Sequence, residues 1–196
     1  MNEQDDLRKR IIQDGPGNRP IIMIIGVLVA FLIVAYVSAS IMWAYFDGQA
    51  FGLFSSAEKD MAEGRYSEAK EKGAKAAASM TTALMFNKFV KGKSHAEVAN
   101  DTLNLARCYD VSQEFQKAED LHQQACELFL KAKGDSDYEY GWSLLSFGDH
   151  YKAMHNRDKA LEYYNKALPI IEKTRGTAGN DYKWTIQRIE QAKQLN

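Results

Sequence analysis

A chain of 196 residues has room for one domain and an appendage, and its 45% hydrophobic content is that of a folded protein. Twenty-five Lys and Arg against 26 Asp and Glu leave a formal charge of −1, which offers no electrostatic footprint for nucleic acid, so no nucleic-acid partner is expected. Three prolines and 13 glycines, without Ser/Gly or Gln/Asn tracts, leave little scope for a long disordered linker.

Residues 1–20 read as an N-terminal tail carrying Arg8, Lys9, Arg10 and Arg19. Residues 21–46, IIMIIGVLVAFLIVAYVSASIMWAYF, contain no charge and no proline. As a helix they would extend roughly 39 Å at ~1.5 Å per residue, against a hydrocarbon layer of about 30 Å. A soluble core helix of this length would show a polar face; this segment has none, and Trp43, Tyr45 and Phe46 suit the far interface. The reading is a single-pass transmembrane anchor. The alternative is a cleaved signal peptide, because VSA ending at Ala39 supplies small residues, although the apolar run continues past it. Only Lys59 and Arg65 lie in the 20 residues that follow the span, so the Lys and Arg balance puts the N-terminus in the cytoplasm. Residues 47–196 are then extracytoplasmic, periplasmic or lumenal. Gly26 and Ala30 form a small-xxx-small pair that admits close approach of two anchors and hence a homo-oligomer.

After a juxtamembrane segment, residues 47–55, the pattern becomes periodic. Gly92, Gly134 and Gly176 are spaced by 42 residues, as are GDSDYEYGW (134–142) and GTAGNDYKW (176–184). A fixed period of this size indicates stacked supersecondary units. In register, residues 102–128 and 144–170 match where two helices must touch: Ala106 with Gly148, Tyr109 with Tyr151, Ala118 with Ala160, and Ala125 with Ala167. A weaker copy at 56–77 places Ala57, Ala69 and Ala76 in the same positions, with Asp60 where the tyrosine stands. Helices are expected near 56–63, 67–90, 96–112, 116–132, 138–154, 158–174 and 181–194, with Gly64, Gly92, Gly134 and Gly176 as punctuation. The fold class is therefore all-α, a solenoid of helical hairpins over 56–180 behind the anchor. Residues 181–196 should cap it, with Ile186 and Ile189 packed back and Glu190, Lys193 and Gln194 in water.

These residues resemble the tetratricopeptide repeat, and the 42-residue spacing with NLARCY is most similar to the longer repeats of kinesin light chains. The resemblance implies about three repeats, a capping helix and a concave groove lined by the first helix of each hairpin. The groove positions it implies are Asn100, Leu103, Asn104, Arg107 and Asp110, then Trp142, Leu145, Ser146, Asp149 and Lys152, then Trp184 and Arg188. Asn104 matches the asparagine that bonds a bound peptide's backbone in such repeats, and Ser146 and Arg188 interrupt that ladder. Phe54 and Glu58 stand where a carboxylate clamp for a chaperone's C-terminus would need lysine and asparagine, which argues against that activity.

One stretch departs from the period. Ala76 to Gly92 is sixteen residues where Ala125 to Gly134 and Ala167 to Gly176 are nine, so SMTTALMFNKFVKGK extends a helix by about two turns. Its Met80, Leu84, Met85, Phe86 and Phe89 are expected to pack on DGQAFGLFSS, or else to form a docking ridge. Trp142 and Trp184 either make aromatic shelves for an extended ligand or merely cover joints plugged by Tyr140 and Tyr182.

No catalytic motif is present: there is no Gly-rich phosphate loop, no HExxH and no G-x-S-x-G. His122 and Cys126 share an i,i+4 spacing, but two ligands fall short of a zinc site, so no metal and no cofactor are expected. Cys108 and Cys126 read as buried reduced thiols. The function expected is a membrane-anchored scaffold that recruits or steadies a protein or peptide partner. The alternative is a self-associating subunit of a larger membrane complex, such as a secretion-associated assembly, with an enzyme a remote third.

Overall fold

The computed structural model describes residues 19–92 and 95–195, with the backbone alone at 19–21, so Arg8, Lys9 and Arg10 of the expected tail lie outside the described residues. Among the described residues there are seven helices and no strand: α1 Arg19–Ala62, α2 Tyr66–Lys91, α3 Ala96–Val111, α4 Phe115–Lys133, α5 Tyr138–Ala153, α6 Arg157–Arg175 and α7 Asn180–Lys193. The chain divides into two compact units, one ending at Ala39 and one beginning at Ser40.

In the first unit the helix is apolar on every face. Ile22, Val27, Phe31 and Val34 are all exposed, Phe31 at 70%. From Ile22 the helix is long and apolar enough to cross a membrane.

The expected break before a separate first repeat helix at 56–63 does not occur, since α1 runs to Ala62 without interruption. Between Asp47 and Ser55 no proline stops it, and Gly48 and Gly52 each cost about 1 kcal/mol in a helix interior. Burial of Ala50, Phe54 and Ala57 on one face of the continued helix offsets that cost. The expected juxtamembrane segment is thus part of the wall of the stack.

In the second unit the end of α1 pairs with α2, α3 with α4 and α5 with α6, while α7 closes the row; α3 also touches α5, and α5 touches α7. The small residues matched in sequence sit where the helices meet: Ala57, Ala76, Ala106, Ala118, Ala125, Ala160 and Ala167 are all fully buried, and Ala69 nearly so. At Gly148 a β-carbon would fall under 3.0 Å from the ring of Tyr164, so the α5–α6 crossing requires glycine there. Gly92, Gly134 and Gly176 end their helices with φ of 88°, 93° and 73°. The loops inside the hairpins use the same left-handed conformation at Gly64 (78°), but at Gln113 (62°) and His155 (56°) a side chain occupies it.

The degenerate first repeat has its own solution. Asp60 is buried where Tyr109 and Tyr151 stand in the later copies, and Arg65 and Lys72 (2.5 Å) both bond its carboxylate. Those hydrogen bonds hold Asp60 below the usual carboxylate range.

The extended end of α2 packs in part as the first of the two expectations held. Met80 and Leu84 join Ala50 and Phe54 in one apolar cluster, and Phe86 stacks on Phe46 at 6.4 Å. Met85 and Phe89 stay exposed. In α7, Thr185, Ile189 and Ala192 are buried while Glu190, Lys193 and Gln194 face water, as a cap requires. Both cysteines are free and buried, and burial pushes the thiols up to about 12 at Cys108 and about 11 at Cys126.

Candidate functional site

Counting back 49 residues from the second hairpin to α1, and forward 42 to α5 and again to α7, aligns four rows of groove positions. They are Phe51, Asn100, Trp142 and Trp184; Phe54, Leu103 and Leu145; Ser55, Asn104, Ser146 and Arg188; and Glu58, Arg107 and Asp149. Two adjoining cavities open along these rows. The larger, about 1070 Å³, lies between α1, α3 and the ends of α4 and α5, and its lining includes Asn100, Asn104 and Arg107. The smaller, about 390 Å³, is lined by Arg107, Asp110, Trp142, Leu145, Ser146, Asp149 and Arg188, and it shares Phe54, Glu58 and Arg107 with the first.

Of the residues expected in the groove, three therefore do not open onto it. Leu103 lies in the core with Ala99, Ala125 and Phe129. Lys152 turns toward Gln191 (3.2 Å) and Asp149 (3.6 Å), and Trp184, 48% exposed, lies outside both cavities. Tyr140 packs on the clusters on either side of the α4–α5 joint, as the plugging role predicts, and Trp142 packs on both of them while also lining the smaller cavity.

The groove's arginines are already engaged. Arg107 pairs with Glu58 at 3.2 Å and lies over the Phe54 ring at 4.6 Å. Arg188 donates to both oxygens of Asp149 at 2.9 Å, and Tyr164 donates to the same carboxylate at 2.7 Å. These pairs tie neighbouring repeats together and leave their charges compensated.

Two polar clusters were not foreseen. At the larger cavity, Asp101 is 2% exposed; its Oδ2 accepts from Trp43 Nε1 at 3.0 Å and from Asn87 Nδ2 at 2.6 Å, joining α1, α2 and α3. Burial pushes Asp101 up to about 6 against those two hydrogen bonds, and burial also raises Asp47. A register comparison could have found it. The equivalent positions, Ser143 and Thr185, are small hydroxyls that bond carbonyls of their own helices, and a carboxylate in that series is the outlier.

The second cluster lies deeper. Asp110 takes His122 Nε2 on one oxygen (2.7 Å) and His150 Nδ1 on the other (2.5 Å), and both rings are buried. Burial acts to raise Asp110, but the two histidine bonds outweigh it and hold the carboxyl below its usual range; burial pushes His122 down. His122 therefore faces Asp110 instead of pairing with Cys126. Asp110, His122 and His150 offer the ligand types and spacing that could hold a metal ion; as arranged they form a hydrogen-bonded knot across α3, α4 and α5.

The family model of the tetratricopeptide repeat matches residues 97–173, which span α3 to α6. Those residues carry tetratricopeptide repeats. The crystal structure of BtubC (BKLC) from P. vanneervenii is similar in fold, with a TM-score of 0.52 and 14% identity, over 79% of this chain and 72% of that one. No curated protein matches the chain. Repeats of this kind are in general protein-interaction scaffolds.

Proposed function

We propose that this chain is a membrane-anchored recruiter, which binds a peptide segment of a partner protein in its groove and holds the partner near a bilayer by α1. The observation that carries the reading is the pair of adjoining cavities running across the first helices of successive hairpins, with Asn104 and Trp142 on their walls. The exposed apolar face of residues 22–37 supports the anchor, and the Lys and Arg balance supports a cytoplasmic N-terminus with extracytoplasmic repeats. Tethering raises the local concentration of the site, so a groove of modest affinity suffices. The role is binding, without a catalytic step.

The test is crosslinking and pull-down from sealed vesicles, comparing the native chain with Asn104→Ala combined with Trp142→Ala. Partner recovery should fall about tenfold or more while helicity is retained, because each removes a groove contact worth about 1 kcal/mol or more. Unchanged recovery overturns the groove, and protease digestion of residues beyond 47 from the cytoplasmic face overturns the topology.

A further inference from the structure

We propose that the larger cavity is a receptor for a cationic side chain, a lysine or arginine presented by an apolar stretch of the partner; this rests on the groove reading above. Five carboxylates line the cavity, and three of them are spoken for: Glu58 by Arg107 (3.2 Å), Glu97 by Lys91 (3.1 Å) and Glu139 by Lys133 (3.6 Å). Asp47 and Asp101 have no cationic partner among the described residues, although both line the same space.

The hydrogen bonding around Asp101 is lopsided in the same direction. Both of its donors, Trp43 and Asn87, converge on Oδ2, and among the described residues none donates to Oδ1. A carboxylate that lines the cavity with one oxygen undonated and no counter-ion calls for a group that brings both positive charge and N–H bonds. An ammonium or guanidinium does so; an anionic segment would add repulsion. The rest of the wall suits the stem that carries such a group, since Trp43, Phe51 and Phe54 are aromatic and Ala50 and Met80 apolar.

The arrangement is also open to a ligand. Burial holds both carboxyls above their usual range, and an arriving cation would favour their ionised forms. By contrast Asp149 and Asp110, in the adjoining cavity, have both carboxylate oxygens bonded by the chain itself.

The experiment uses the full chain in phosphatidylcholine nanodiscs and three libraries of soluble octapeptides, randomised over apolar residues around a fixed central lysine, norleucine or glutamate. Lysine peptides should be retained about tenfold over norleucine peptides, with glutamate peptides lowest. Asp47→Asn and Asp101→Asn should each cut the lysine advantage below about threefold, and helicity should be unchanged. If lysine and norleucine peptides bind alike, or the lysine advantage survives in both variants, the inference is overturned. Binding that depends on Asn104 and Trp142 without any charge preference overturns it while leaving the groove intact. If no library binds, the groove reading falls with it.

Discussion

Replacing Asp101 by asparagine should make the protein more stable at neutral pH. The side chain is 2% exposed, and burial raises its carboxyl from 3.8 to about 6, so the fold favours the neutral form. A group whose folded value lies above its unfolded one contributes fully below the unfolded value and loses that contribution as pH rises through the folded one. Here the loss falls between pH 3.8 and about 6 and amounts to on the order of 3 kcal/mol. The substituted amide would keep an oxygen for Trp43 and Asn87 and turn its nitrogen toward the cavity, so Asp101→Asn mimics the neutral acid at every pH. Urea unfolding of the detergent-solubilised chain, followed by circular dichroism, should show the variant ahead by on the order of 3 kcal/mol near pH 7.5, closing to about nothing near pH 4. The opposing contributions of His122 and Asp110, whose folded values are lowered and whose stabilisation is lost as pH falls, are common to both proteins and cancel in the difference. A variant no more stable than the native chain at pH 7.5, or a difference that does not change with pH, would refute the reasoning.

Two further substitutions probe the stack. Gly148→Ala gains about 1 kcal/mol of helix propensity but drives a methyl into the Tyr164 ring, an overpacking that costs about 1–3 kcal/mol. A net loss is expected, with a coupling of about 1 kcal/mol or more to Tyr164→Leu in a double-mutant cycle by urea unfolding; additivity would contradict the contact. His155→Gly relieves an exposed side chain at φ 56° and should raise the unfolding free energy by about 0.5–1 kcal/mol, and a loss in the same measurement would mean that the side chain is needed there.

Much of the stack could be read from sequence because its requirements are steric and recur. Ala118, Ala160, Ala125 and Ala167 must be small whatever surrounds them, and Gly92, Gly134 and Gly176 must turn left-handed, so each repeat announces the next. The continuity of α1 was hidden for the opposite reason. Gly48 and Gly52 signal a break locally, and only the burial of Ala50 and Phe54 against α2, residues far along the chain, overrides it. Of the groove, the positions were legible but their pairing was not. Arg107 and Glu58 are 49 residues apart, and Arg188 and Asp149 are 39 apart, so the sequence displays the charges without showing that they neutralise each other.

Departures from the repeat therefore divide by whether the fold compensates them. Tyr164 stands where the repeat before has His122, and Gly148, where that repeat has Ala106, leaves room for its ring. Asp60 replaces a tyrosine, and Lys72 and Arg65 come to meet its charge. Met80 and Leu84 lengthen α2, and the continued α1 covers them. Asp101 replaces a hydroxyl, yet no cation among the described residues comes to meet it, and its burial lowers the stability of the fold at neutral pH. A residue that costs stability in the free protein is what a binding site retains when the missing partner lies on another molecule. That asymmetry separates the larger cavity from the rest of the groove, where ion pairs are complete and serve the stack. It also ties the two experiments on Asp101 together: the same substitution should strengthen the fold and weaken recognition of a basic segment, and a change that did only one of these would separate the structural role from the binding one.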